Sequence, residues 1–107
     1  MLNPGLRKEI GDAAPAARVT AVVSVAPELF GGIAGEDVLQ RMTAAKQPVL
    51  EALQSMQGVQ VNALPGLPHA IAVAPAAEWQ ALIERNPWLS ESDGVRLDPN
   101  EVVATTL

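Results

Sequence analysis

The segment Arg18–Val25 constrains the fold of this chain more than any other stretch of the sequence. Alternate residues form two sets, and the apolar set consists of Val19, Ala21, Val23 and Val25. The other set consists of Arg18, Thr20, Val22 and Ser24. A period of two that is rich in β-branched residues predicts a strand with one buried face. The fold must therefore contain a sheet that is covered on one side.

Three later segments also read as strands. In Val59–Leu64, the apolar residues Val59, Val61 and Ala63 alternate with Gln60 and Asn62. His69–Ala74 follows a turn at Pro65–Pro68 and places Ile71 and Val73 on one face, with Ala70, Ala72 and Ala74 on the other. We assign the larger side chains of this third strand to the core and the alanines to the exposed face. Val95–Asp98 predicts a short fourth strand.

Two segments between these strands have helical periodicity. The first carries an apolar stripe at steps of three and four, formed by Val38, Met42, Ala45, Val49, Leu53 and Met56. Pro48 interrupts this stripe, so either the helix kinks there or a second helix begins with Pro48 in its first turn. The second helix follows Pro75, buries Trp79, Leu82 and Ile83, and stops at Asn86-Pro87.

The order strand, helix, strand, strand, helix, strand predicts an α+β fold of the ferredoxin-like βαββαβ type. We expect a four-stranded antiparallel sheet with two helices on one face. Residues 1–17 are rich in glycine, proline and alanine, and we interpret them as a flexible N-terminal arm. Residues 18–107 then form a single domain with an extended C-terminal tail at 101–107.

Composition and charge exclude several classes of function. The net charge is −5 and the seven basic residues are scattered, which argues against binding to nucleic acid or to an anionic membrane. The chain has no cysteine, and its single histidine, His69, has no neighbouring acid in the sequence. We find no constellation for catalysis, metal binding or cofactor binding, and we expect a protein that is not an enzyme. No signal peptide is visible, which predicts a cytoplasmic protein, or an extracellular one if a leader was removed.

Four stretches together resemble the subtilisin propeptide-like inhibitor family. They are Arg18–Val25, Pro48–Leu64, Leu64–Val73, and Trp79–Pro87 with the later segment Val95–Val103. Their motifs are apolar alternation and a proline-bearing turn, and they cover roughly residues 18–107. The segments 26–45 and 88–94 are longer than the corresponding parts of that family.

This resemblance implies an inhibitor, or a chaperone-type partner, of a subtilisin-like serine protease. In the family, the sheet docks on the protease and the C-terminal tail lies in the substrate cleft. Carried over to this chain, the tail is Val102, Val103, Ala104, Thr105, Thr106 and Leu107. Leu107 would occupy the pocket for the residue before the scissile bond, and Ala104 an outer apolar pocket. Main-chain hydrogen bonds would give affinity, and alternate side chains specificity.

The docking face predicted from strand parity is flat and nearly uncharged. It consists of Thr20, Val22, Ser24, Gln60, Asn62, Ala70, Ala72 and Ala74. A smooth apolar face suggests a covered surface. The cover could be a protease, a second copy of the chain or the N-terminal arm. The alternative function is therefore a ferredoxin-like module that self-associates as a homodimer or binds a small ligand, with no role in proteolysis.

Overall fold

A computed structural model of the protein describes residues 1–26, 36–64, 66–92 and 94–99, with residues 36–39 described by their backbone alone. These described residues form four helices and four strands. In order, they are α1 (Pro4–Asp12), β1 (Arg18–Val25), α2 (Glu36–Gln54), β2 (Gln60–Asn62), β3 (His69–Pro75), α3 (Ala76–Arg85), α4 (Trp88–Glu91) and β4 (Val95–Pro99).

The four strands form one antiparallel sheet in the order β2-β3-β1-β4. This confirms the α+β class, and the strand order is consistent with the ferredoxin-like arrangement. The outer edge of β4 is covered by the first residues of the chain, because Asn3 N donates to Leu97 O and Leu97 N donates to Met1 O, both at 2.9 Å. The opposite edge is β2, which is only three residues long.

Strand β1 has the burial predicted from its sequence. Val19, Ala21, Val23 and Val25 are buried, whereas the residues between them are half-buried or exposed. The buried set joins side chains from all four helices in a single hydrophobic cluster. Trp79 of α3 is fully buried in that cluster, and its indole Nε1 donates to Val19 O at 3.0 Å. The described helices therefore share one side of the sheet, and no described helix lies on the other side.

The N-terminal segment is part of this core, so the prediction of a flexible arm over residues 1–17 was wrong. Helix α1 buries Leu6 and Ile10, which are four positions apart and share one helix face. Asn3 caps the helix by accepting a hydrogen bond from Gly5 N at 2.7 Å, and Pro4 follows the cap. The glycines and prolines of the segment are typical of loops, which is why the sequence did not indicate this short amphipathic helix. Three principal helices, rather than two, cover the sheet.

Pro48 lies inside a single helix, which decides between the two alternatives left open by the sequence. Helix α2 runs on from Glu36 to Gln54, and Gly58, at φ 71°, follows it before β2. The segment after Pro87 contains a further short helix. Residues 88–91 form the short helix α4, because Leu89 is fully buried in the cluster.

The alanines of β3 lie on the covered face, contrary to their predicted position on the docking face. Ala72 pairs with Ala21, and Ala70 and Ala74 pair with Val23 and Val19, so they point to the same side as the buried residues of β1. All three are buried. Both faces of β3 are apolar, so side-chain size misled the assignment. Small residues suit the covered side because they leave room for the large side chains of the helices above them.

Among the described residues, no helix is both long enough and apolar enough to cross a membrane.

Candidate functional site

The candidate functional site is the side of the sheet opposite the described helices, and we call it the open face. Its members alternate with the buried residues of the four strands. They are Arg18, Thr20, Val22 and Ser24 of β1, Gln60 and Asn62 of β2, His69, Ile71 and Val73 of β3, and Arg96 and Asp98 of β4. Each is half-buried or exposed.

The centre of the open face is apolar. Val22 of β1 pairs with Ile71 of β3, and Thr20 pairs with Val73. No described helix covers these side chains, and they are half-buried because they pack against one another. Directly opposed β-branched residues on antiparallel strands pack against one another. The result is a compact apolar patch on the two central strands.

One end of the open face is polar. Ser24 pairs with His69 on one side and with Arg96 on the other, so the three side chains form a row across β3, β1 and β4. Ser24 Oγ lies 2.9 Å from His69 Nδ1. The Arg96 guanidinium lies 3.4 Å from Asp98 Oδ1, and the same oxygen accepts a hydrogen bond from Asn3 Nδ2 at 3.1 Å.

The other end of the open face carries Arg18. Its guanidinium donates to Gly58 O at 3.0 Å and makes a longer contact with Val73 O at 3.4 Å. Because Gly58 precedes β2 and Arg18 begins β1, this side chain bridges the sheet at the start of β1. It ties the short edge strand to the centre and keeps a positive charge at this end of the patch.

Five residues of the predicted docking face lie on the open face: Thr20, Val22, Ser24, Gln60 and Asn62. The alanines at 70, 72 and 74 do not, and His69, Ile71 and Val73 take their place. The predicted tail, Val102–Leu107, lies outside the described residues.

Arg96 and Asp98 also belong to the open face, although they were not predicted as members of it. A signal was present, because these two residues alternate with the apolar Val95 and Leu97, both of which are buried. For β3 the sequence offered no comparable signal, since both of its faces are apolar. Its pairing with β1 sets the alanines opposite buried residues, and the pairing of Gln60 with Val73 and of Asn62 with Ile71 sets two polar residues of β2 on the opposite side.

A separate feature lies between α2 and the β2–β3 turn. Lys46 is buried, with 7% of its surface exposed, and its amine donates to Ala63 O, to Leu67 O at 2.8 Å and more weakly to Leu64 O at 3.4 Å. Burial lowers the pKa of Lys46 below its ordinary value of 10.5. A cleft of about 220 Å³ opens beside it, lined by Met42, Thr43, Lys46, Leu50, Ala63 and Gly66. Because Lys46 directs its N–H groups at main-chain carbonyls, we interpret it as a support for the turn.

Within the described ranges, no three His, Cys, Asp or Glu side chains gather into a group that could hold a metal ion. The Ser24–His69 pair lies on the surface of a sheet, and His69 is exposed. Comparison of the chain with protein-family models, with curated proteins and with solved structures found no match. The open face is therefore the feature from which we propose a function.

Proposed function

We propose that this protein binds another protein through the open face, and that the partner is a subtilisin-like serine protease, which it inhibits. The observation that carries the proposal is the apolar patch of Val22, Ile71 and Val73, at the centre of a sheet face that none of the described helices covers. Docking would remove these half-exposed β-branched side chains from water, at roughly 25 cal/mol for each Å² of apolar surface.

The size of the face favours a partner that makes a second contact. The strands hold 8, 3, 7 and 5 residues. At about 3.3 Å per residue and 4.8 Å between strands, the face has a projected area of about 360 Å². A stable protein–protein interface buries about 800 Å² on each partner. A complex formed through this face alone would therefore be weak, and a stable one needs additional surface.

The C-terminal segment is our candidate for that additional surface. Strand β4 lies beside the central strand β1 and ends at Pro99, eight residues before the end of the sequence given. In the proposed complex, these residues pair as a strand with the substrate cleft of the protease. Following the family resemblance, Leu107 fills the primary specificity pocket and Ala104 an outer apolar pocket.

The deciding experiment is a titration of a broad-specificity subtilisin with the purified protein, followed by residual peptidase activity. We expect activity to disappear near a one-to-one ratio, with the protein recovered uncut. A variant that lacks Thr105–Leu107 should inhibit about a hundredfold less well, equivalent to about 2.8 kcal/mol of binding free energy, and should keep its fold. Unchanged inhibition by the truncated variant would exclude the tail mechanism.

The alternative, self-association through the open face, makes a different prediction for the same preparation. The mass of the protein in solution, measured by sedimentation equilibrium, would rise from that of a monomer to that of a dimer with concentration. The protein would have no effect on the protease. The small projected area of the face argues against a tight dimer formed in this way.

A further inference from the structure

The polar end of the open face has the features of an anion contact. Ser24, His69 and Arg96 stand on three neighbouring strands and are paired in register, and we call them the donor row. Opposed residues of antiparallel strands are about 5 Å apart at Cα, so the row spans about 10 Å. The three side chains are therefore close enough to meet at one small site on a partner.

The donor row keeps hydrogen-bond donors to spare. Ser24 Oγ and His69 Nδ1 are 2.9 Å apart and share one hydrogen bond. If the hydroxyl donates, the imidazole proton of neutral His69 is on Nε2. If Nδ1 donates, the Ser24 hydroxyl proton is not used in this bond. Either arrangement leaves one donor, and the Arg96 side chain, 60% exposed, adds the five N–H donors of a guanidinium.

The charges on the open face have the opposite sign to the charge of the whole protein. The chain carries −5, whereas the described open face carries Arg18 and Arg96 against the single carboxylate Asp98. That carboxylate already accepts from Asn3 and lies 3.4 Å from Arg96. Arg96 makes a single long contact with this carboxylate, which leaves its other N–H groups available to a second acceptor.

The chemistry favours a carboxylate over a polyanion. A guanidinium binds a carboxylate through two parallel N–H···O bonds. Nucleic acid would meet an acidic protein with two positive charges at opposite ends of one face, which is too few for the phosphate contacts that such binding needs. An isolated Asp or Glu side chain on a protein surface needs only one guanidinium and brings a single negative charge near this acidic protein.

We propose that the donor row binds a carboxylate side chain on the surface of the protein partner, and that it thereby fixes the orientation of the docked sheet. This inference rests on the proposed function for the nature of the partner. The apolar patch beside the row strengthens the contact, because docking excludes water from the charge pair. A partner with a basic or neutral surface at this position is disfavoured, since the buried guanidinium would then keep only its 3.4 Å contact with Asp98.

The first test uses acetate as the probe. Backbone amide resonances and the Arg96 Nε–H resonance are followed by NMR while acetate replaces chloride at constant ionic strength. We expect progressive, saturable shifts at Ser24, His69 and Arg96, which Arg96→Gln reduces at least fivefold. The matched control, Lys8→Gln, removes a charge from an exposed residue of α1 and should leave the shifts unchanged. Absent shifts, or shifts that Arg96→Gln and Lys8→Gln affect equally, would overturn the inference.

The second test measures inhibition of the subtilisin by the same variants over a series of salt concentrations. Arg96→Gln should weaken inhibition about tenfold and flatten its salt dependence, whereas Lys8→Gln should not. If the wild-type protein inhibits and Arg96→Gln inhibits equally well, the donor row has no such role although the proposed function stands. If acetate shifts the row and the wild-type protein does not inhibit, the carboxylate contact stands and the proposed function fails.

Discussion

The buried amine of Lys46 donates a hydrogen bond to the carbonyl oxygen of Leu67 at 2.8 Å. Lys46 belongs to α2 and Leu67 to the turn between β2 and β3, so this bond joins the long helix to the loop that leads into β3. The same turn contains Leu64 at φ 47° and Gly66 at φ 82°. Left-handed backbone is strained for leucine, and the amine contributes to holding it in place.

Replacing Lys46 by methionine should therefore destabilise the protein. Methionine is unbranched and one atom shorter than lysine, so the variant keeps most of the apolar stem but removes the donor, and the carbonyls of Ala63 and Leu67 lose their bonds to the amine. We expect the free energy of unfolding to fall by about 2 kcal/mol in urea denaturation. Lys8→Met, at an exposed position, is the control and should change it by less than about 0.5 kcal/mol. Equal stability of the two variants would show that the amine does not support the turn.

The lowered pKa of Lys46 predicts a pH dependence of stability that is opposite in sign to that of a lysine in an ordinary ion pair, whose pKa is raised. Between this lowered pKa and the ordinary value of 10.5, the unfolded chain binds more protons than the folded one. The contribution of Lys46 to the free energy of unfolding therefore rises with pH across that window. The stability difference between wild type and Lys46→Met, measured by urea denaturation from neutral pH to about 10.5, should shift in favour of wild type. A constant difference would contradict the direction of the pKa shift.

Helix α1 contributes to stability, which can be tested at Leu6. Its side chain is fully buried in the hydrophobic cluster. Leu6→Ala should lower the free energy of unfolding by about 3 kcal/mol, because it removes buried methyl groups and leaves a cavity. Leu67→Ala makes the same substitution at a side chain that is 49% exposed, and we expect a change near zero in the same urea titration. If Leu6→Ala were equally harmless, the N-terminal segment would be the flexible arm that the sequence suggested.

Adjacent aspartates in β3 test which side of the strand is covered. Ala72 is fully buried, whereas its neighbour Ile71 is half-buried on the open face. Ala72→Asp should abolish the cooperative thermal transition, because it buries a carboxylate in an apolar core. Ile71→Asp should retain that transition. The reverse result would restore the original assignment of the alanines to the exposed side.

The retained fold of Ile71→Asp makes it the sharpest probe of the apolar patch. If the patch is covered by a protease, the introduced carboxylate loses water without gaining a partner. We expect Ile71→Asp to raise the inhibition constant at least about tenfold, equivalent to about 1.4 kcal/mol. Gln40→Asp places the same charge at an exposed position of α2 and should leave the inhibition constant unchanged. Equal inhibition by both variants would mean that the patch lies outside the interface.

The strands and the helices α2 and α3 could be predicted from the sequence because their periodicity is local. Arg18–Val25 alternates apolar and mostly polar residues over eight positions, and its burial follows that alternation. The stripe of α2 was equally visible, and so was the stop of α3 at Asn86. In each case, neighbouring residues of one segment contain the whole signal.

The candidate site was only partly predictable, for reasons that lie in β3 and α1. A strand with apolar residues on both faces does not indicate which side is buried, and only its pairing with β1 placed Ala72 in the core. Helix α1 is short, and its Leu6 and Ile10 acquire their role only where other elements surround them. Isolated helices of this length are marginal in water, so tertiary packing decides whether they form.

The amino-acid sequence by itself determined the α+β class, the order of the central elements and the buried side of β1, since each depends on short-range periodicity. Only the tertiary structure decided which side chains meet on the open face. Ser24, His69 and Arg96 are far apart along the chain, and strand register brings them into one row. Register depends on the combined packing of all the strands and helices, because a shift of one residue would exchange the two faces of a strand.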